Sequence, residues 1–367
     1  MGVLLVAAGG GGDALAAVVI HRALRPEDAP PTVLTYAWER LRVDPLPGPR
    51  GPDGFVGLVP AGRFTWQITP GSDTVPSGLS MLPRLAAEVP ARLLLIDPTG
   101  GARGMHRQLA EQVTMTGADA VWVVDVGGDV VARGDEPGLR SPFADGLALA
   151  ACVGLPVPVE VLIAGPGLDG ELPEAEVIAR VEELGGHLWG RLTGEQATPA
   201  ADVLVWHPSE ATALLTAAAM GVRGRVEIRD NGTPIDLTDH SADIYGVRVN
   251  GLTGNTLHVR ALAETETLTQ AEEVIRRLCG SSEIDYERQK SARLSEDRPE
   301  RPANELRHDA DAYTADARTR GIDYLTFRRL AEALDVSPGK LDRLRAELRQ
   351  DQATDERFPL WPVQGQR

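Results

Sequence analysis

Lysine is nearly missing from this 367-residue chain, which has Lys290 and Lys340 and none before position 290. Everything N-terminal to that point therefore offers neither a phosphate-loop lysine nor a Schiff-base lysine. Cysteine is scarce as well. Cys152 and Cys279 lie in apolar helical patterns without metal-ligand spacing, so each reads as a buried free thiol in a reducing compartment. Long apolar runs are lacking: the N-terminal run Val3–Ala8 is cut short by glycines and has no basic leader. It reads as the first strand of a cytoplasmic protein, with no export or membrane segment. No Gly-x-Ser-x-Gly, His-Glu-x-x-His or paired-cysteine motif occurs, which disfavours serine-hydrolase, zinc-protease and dithiol chemistry. Positive charge is in deficit, with a formal net charge of −16. Nucleic acid is accordingly disfavoured as principal partner, because backbone binding rests on Lys and Arg. A small ligand is the better expectation.

What the chain has in quantity is one repeated unit. Four times an apolar strand runs into a glycine-and-aspartate loop and then a helix: Gly9-Gly10-Gly11-Gly12-Asp13, Asp97-Pro98-Thr99-Gly100-Gly101, Asp125-Val126-Gly127-Gly128-Asp129 and Gly165-Pro166-Gly167-Leu168-Asp169. Strand–helix units beginning at Val3, Val33, Leu93, Val121, Val159 and Val203 predict an α/β fold with a doubly wound, mostly parallel sheet. Ligands of such sheets bind outside the carboxyl ends of the strands. The four loops are therefore expected to share one crevice.

The rhythm breaks at 43–80, a Pro- and Gly-rich insertion that reads as an ordered lid or specificity loop. After Gly221, Arg225–Arg229 and Pro234–Leu237 flank Asn231-Gly232 and predict an edge β-hairpin. An amphipathic helix over Leu268–Leu278 follows. The charged stretch Ser295–Asn304 reads as a linker. The expected organisation is a ligand-binding domain over 1–294 and a C-terminal helical segment over 305–350.

Gly9-x-Gly11-x-x-Ala14 has the strand-to-helix context of a dinucleotide loop, whose amides and helix N-terminus hold an anion. Gly10, Gly11 and Gly12 would supply those amides. Asp13 complicates the reading, since its carboxylate competes for them, and a tight turn capped by Asp13 explains the residues equally well. Glu39 stands where such a fold keeps its ribose-binding acid. Asp97 and Asp125 each follow a strand directly, and with Asp129 they suit Mg²⁺ or general-base catalysis. Helix capping and turn ordering are the structural alternative for each. Gly100, Gly101, Gly127 and Gly128 would let backbone approach a phosphate. Arg133 and Arg140 are placed to meet an anion bidentately, as are Arg103 and, less well, Arg107. Ser141 and Asp145 open an apolar helix, as ligand groups or caps. His207, after the apolar run Val203–Trp206, is an acid–base candidate, and His106 a weaker one.

Gly9–Asp13, Asp125–Asp129 and Ser141-Pro142-Phe143-Ala144-Asp145, in that order, resemble the prokaryotic family known as domain of unknown function 1152, over roughly residues 1–290. The resemblance implies a Rossmann-like cytosolic protein. The family has no assigned activity, so the likeness groups these loops and supplies no catalytic residue. Further on, Phe327–Leu344 looks like a helix-turn-helix, with Ala331 at the tight contact and Ser337 capping the second helix. Its surroundings carry six basic and five acidic residues between Gly321 and Gln350, a poor footprint for DNA. A hairpin packed on the body or at a dimer contact fits better. The expected function is an enzyme acting on a nucleotide, nucleoside or sugar phosphate by hydrolysis, lyase chemistry or group transfer, with a homo-oligomer as the expected assembly. An NAD(P)- or S-adenosylmethionine-dependent enzyme and a ligand-sensing DNA-binding regulator are the alternatives.

Overall fold

The computed structural model describes residues 2–41, 43–136, 139–140, 143–294, 303–336, 341–349 and 358–363. Strands β1–β8 are Gly2–Ala7, Thr32–Thr35, Phe55–Val56, Val59–Pro60, Trp66–Gln67, Asp73–Thr74, Arg92–Leu95 and Ala118–Val126. Strands β9–β15 are Val159–Ala164, His187–Arg191, Gly224–Ile228, Thr233–Leu237, Asp243–Arg248, Tyr324–Thr326 and Leu360–Pro362. Helices α1–α7 are Gly11–Leu24, Leu82–Glu88, Gly101–Thr116, Phe143–Cys152, Glu174–Glu183, Gly194–Leu204 and Glu210–Ala219. Helices α8–α14 are Val249–Asn255, Leu257–Leu262, Leu268–Cys279, Glu283–Leu294, Ala303–Thr319, Phe327–Ala333 and Leu341–Arg349.

The central sheet runs β10-β13-β9-β8-β1-β2-β7-β5-β4, with β9, β8, β1, β2 and β7 parallel. The parallel strands are apolar on both faces, as a sheet covered by helices on each side requires. In β1, Leu4 and Val6 join the core under α3, α4, α9 and α10, while Leu5 and Ala7 join that under α1, α6 and α7. The chain leaves β1 for β2 on one side and later returns to β8 on the other. Strand order thus reverses between β1 and β8, and the crevice of a doubly wound sheet opens at such a point. The Rossmann-like α/β expectation is met, and no helix among the described residues is long and apolar enough to cross a membrane.

Two local expectations need correction. Val203–Trp206 is not a strand but the end of α6 and the turn after it. A reciprocal capping box between Thr193 and Gln196 starts a helix ten residues earlier, and burial of Val203, Leu204 and Trp206 against the α1 side carries it through. The missing sheet members are instead β10, an edge strand with Leu188 exposed and no apolar alternation, and β13, inserted antiparallel between β9 and β10. Cys279 is half-buried rather than enclosed, while Cys152 is buried as expected.

The insertion 43–80 is ordered, but β4 and β5 extend the sheet beyond β7 rather than covering the crevice. Its far end is held by Glu39, whose Oε1 accepts from Met81 N at 2.7 Å and Ser80 Oγ at 3.1 Å. Glu39→Ala is expected to cost about 1–2 kcal/mol in denaturant unfolding, the scale of a buried acceptor removed from its donors.

The predicted hairpin forms as β11–β12, though in a second sheet, β12-β11-β14-β15, whose other half comes from the C-terminal segment. That segment packs on its own small core, in which Ala331 is fully buried as the helix-turn-helix likeness requires. Ser337 lies outside the described residues. Among the described side chains, the basic residues of the pair are used internally: Arg328 bonds Glu332 and pairs with Glu210, Arg329 bonds Glu227, Arg343 bonds Glu347, and Arg345 donates to Leu204 O. These contacts favour the packed-hairpin reading over a DNA-reading one.

Candidate active site

Three of the four loops and the start of α4 meet at the carboxyl ends of β1, β8 and β9, around a cavity of about 210 Å³. The first loop turns directly from β1 into α1, and Asp13 caps it, Oδ2 accepting from Gly9 N at 2.8 Å. Gly12 has to be glycine, since a Cβ there would stand 2.3 Å from Ser209 Oγ at the start of α7. Gly10 and Gly12 line the cavity, and Gly11 opens α1. Asp125 ends β8 with Oδ2 held by Gly128 N at 2.8 Å, so its second oxygen is left for the cavity. Gly127 and Gly128 have φ of +128° and +104°, which favours glycine at both. A Cβ on Gly127 would collide with the Asp169 carboxylate at 2.3 Å.

Asp13, Asp125, Asp129, Asp145, Asp169 and Glu171 all line this cavity, together with Glu39, Glu210, Asp230, Glu283, Glu287 and Glu332. Twelve carboxylates thus face Arg40, Arg140, Arg229, Lys290 and Arg328. Burial, reinforced by mutual repulsion, pushes Asp125, Asp129 and Asp145 well above the usual carboxylate range. Asp13 and Asp169 are pushed up to about 7, burial again being the main cause. Ligand oxygens of Asp13, Asp125 and Asp145 lie within 4.8 Å of one another, and so do those of Asp129, Asp169 and Glu171. Such sets can share protons or hold a hard cation.

Among the cavity's cations Arg40 and Arg140 are exposed, whereas Arg229 and Arg328 lie inside it, paired with Glu171 and Glu210. Tyr286, 42% exposed, has the Arg140 guanidinium 5.5 Å and Lys290 Nζ 5.9 Å from its ring centroid. Glu283, Tyr286, Glu287 and Lys290 sit on one face of α11 at helical spacing, a signal that the sequence carries. Asp169 is visible in the sequence as the end of the fourth loop. Glu171, Glu210 and Arg229 have no local signal, because long-range packing brings them in. Arg229, for example, comes from the β11–β12 turn with φ +61° and meets Glu171 at 3.0 Å.

Other candidates lie elsewhere. Asp97 turns back on its own loop, accepting from Thr99 N at 3.0 Å and Thr99 Oγ1 at 2.6 Å, so it caps the 3-10 turn Pro98–Gly100 and does not reach the cavity. Gly100 and Gly101 go with it, and the N-terminus of α3 behind them is occupied by Thr265, which accepts from Ala102 N and Arg103 N. Arg133 is drawn away to Glu183 at 2.5 Å, and Arg103 to Glu264 and Glu266. His106 contacts Ala151 O. His207 does line the cavity; its Nδ1 accepts from Ser209 N at 3.3 Å, and burial lowers its pKa to about 4. A buried neutral imidazole with that tautomer is a donor through Nε2 rather than a base. Ser141 lies outside the described residues.

A family model described as a protein of unknown function, DUF1152, matches residues 4–291. The chain belongs to that family. No curated protein and no solved structure matches it significantly.

Proposed function

We propose that this member of the DUF1152 family is an enzyme acting on a small phosphorylated metabolite, with a divalent cation such as Mg²⁺ held by the carboxylates at the strand ends. The observation that carries this reading is the pair of carboxylate clusters in one cavity, with the exposed Arg40 and Arg140 among its lining residues. A floor of clustered carboxylates repels a bare phosphate, and a hard cation bound there converts it into an attractive surface. Arg40, Arg140 and Lys290 then meet the remaining phosphate oxygens. The small volume suits a metabolite such as a nucleotide, nucleoside or sugar phosphate rather than a polymer. His207, neutral, would donate to a substrate oxygen. The unpaired thiols Cys152 and Cys279 are in keeping with a reducing cytoplasm.

A redox or methyl-transfer reading is less well supported. Gly9 N is already taken by Asp13, and Glu39 is engaged with Ser80 and Met81. Thermal unfolding with nucleotides, sugar phosphates, NAD(P) and S-adenosylmethionine, each with and without Mg²⁺, tests the proposal. A ligand at one hundred times its Kd should stabilise by about 2.7 kcal/mol. The expected result is a phosphorylated compound whose shift requires Mg²⁺ and is lost in Asp125→Asn. A shift by NAD(P) or S-adenosylmethionine that ignores Mg²⁺ would overturn it.

A further inference from the structure

The geometry points to a two-cation site in the cavity floor, in which Asp13, Asp125 and Asp145 hold one divalent ion and Asp129, Asp169 and Glu171 hold a second. This rests on the reading above and deepens it, because it specifies how many ions the floor takes and which side chains bind each.

Each set has its ligand oxygens within 4.8 Å of one another, close enough to share one ion. The sets are also neighbours by construction. Asp125 and Asp129 are four residues apart on the single turn that ends β8, one contributing to each set, and Gly128 N fixes Asp125 within that turn. A separate observation comes from unpaired oxygens. Asp145 is 6% exposed, yet its Oδ1 has no hydrogen-bond partner among the described residues, and Asp169 Oδ2, on a half-buried side chain, is likewise enclosed with no donor, its side-chain neighbour being the Asp129 carboxyl. Each set therefore contains one enclosed carboxylate oxygen that the protein does not satisfy, which a native fold seldom tolerates without a ligand.

Bare α-carbons make room for both. The Cβ position of Gly9 lies 2.5 Å from Asp13 Oδ2 and 3.9 Å from Asp145 Oδ1, and that of Gly127 lies 2.3 Å from Asp169 Cγ. No Lys or Arg forms an ion pair with Asp13, Asp125 or Asp145 among the described residues, and Arg40 acts on Asp13 without a contact ion pair. Arg229 reaches Glu171 in the second. With six carboxylates and neither imidazole nor thiolate, the donor chemistry selects oxygen-preferring ions, Mg²⁺ or Mn²⁺, over zinc or copper. Two such ions would suit a phosphate ester, whose charge they would neutralise.

Titration of the full-length protein with Mn²⁺, followed by calorimetry and electron paramagnetic resonance, tests the assignment. The expected result is two ions per chain. Asp145→Asn should leave one ion at the second set, and Asp169→Asn one at the first. Both substitutions are close in shape to the native side chain, and far-UV circular dichroism checks that each variant folds. Gly127→Ala, which displaces Asp169 without altering charge, should match Asp169→Asn. A wild-type stoichiometry of one overturns the two-ion assignment and leaves the proposed function standing, whereas no Mn²⁺ binding overturns both. Two ions unaffected by either Asn variant overturn the ligand sets. Two ions as assigned, with no phosphorylated compound shifting the melting temperature, uphold this site and refute the proposed substrate class.

Discussion

Glu227→Ala is expected to destabilise the protein by about 3–5 kcal/mol and to loosen the C-terminal segment first. Glu227 lies in the middle of β11 with no exposed surface, where a carboxylate survives only if fully compensated. The compensation comes entirely from the C-terminal segment: Arg329 Nε donates to Oε1 at 2.7 Å, the Tyr313 hydroxyl bonds the same oxygen, and Arg320 bonds Oε2. Burial works to raise the Glu227 pKa, but these bonds outweigh it and hold the group below its usual range. Removing the carboxylate leaves Arg329, 12% exposed, without its partner beside an apolar gap, a situation in which breaking a buried ion pair is costly, while the exposed Arg320 turns to water. Glu227→Gln keeps one acceptor and should cost less. The consequence reaches the cavity, because Arg328 and Glu332, which line it, sit on the helix that Arg329 anchors. Urea unfolding gives the energy, and trypsin sensitivity between Arg307 and Arg349 gives the location. A loss below about 1 kcal/mol, or cleavage appearing first in the N-terminal body, would show that the cluster does not fasten the segment.

The same cluster shows where sequence reasoning stops. Loops following buried strands are legible because glycine, aspartate and an apolar run each carry a local physical meaning, and the topology rule then places Asp13, Asp125, Asp129 and Asp145 in one crevice. Asp97 obeys the same local pattern and fails, since the choice between facing a crevice and capping a turn depends on the partner Thr99 offers. Val203–Trp206 misleads for the related reason that a short apolar run does not distinguish a strand from a helix end. The distal wall is illegible. Glu210 lies 116 positions from Thr326, which bonds it, and Glu227 lies 102 positions from Arg329. Pairings over such separations have no periodic signature, so the C-terminal segment reads as an appendage although it completes a sheet.

The second large effect concerns pH. Asp13 and Asp169 are held near 7 in the folded protein by burial, against 3.8 in an exposed chain. Between about pH 4 and pH 7 the native state therefore binds protons that the unfolded state has released. Stability is highest near the acid end of that window and falls as pH rises through the folded pKa values, with the whole penalty present above 7. Each tenfold gain in proton affinity on folding is worth about 1.4 kcal/mol. Two carboxyls raised from 3.8 to about 7, each still partly solvated, then give a combined loss of roughly 3–4 kcal/mol between pH 5 and pH 8. Glu227, held below its usual range, acts in the opposite sense and only at lower pH, so acid unfolding still sets in beneath the window. A divalent cation compensates the same charges without protons, and the slope should flatten when Mg²⁺ is saturating. Asp13→Asn removes one of the two contributions while keeping an acceptor for Gly9 N. The variant should be more stable than wild type by about 2 kcal/mol at pH 8 and by less than half of that at pH 5, and weaker in binding Mg²⁺. Such a gain is the usual mark of a site whose charges are retained for function rather than for folding. Urea midpoints at the two pH values, in EDTA and in Mg²⁺, decide the matter. A metal-free protein that is more stable at pH 8 than at pH 5 would mean that the floor carboxylates are compensated within the fold and need no cation.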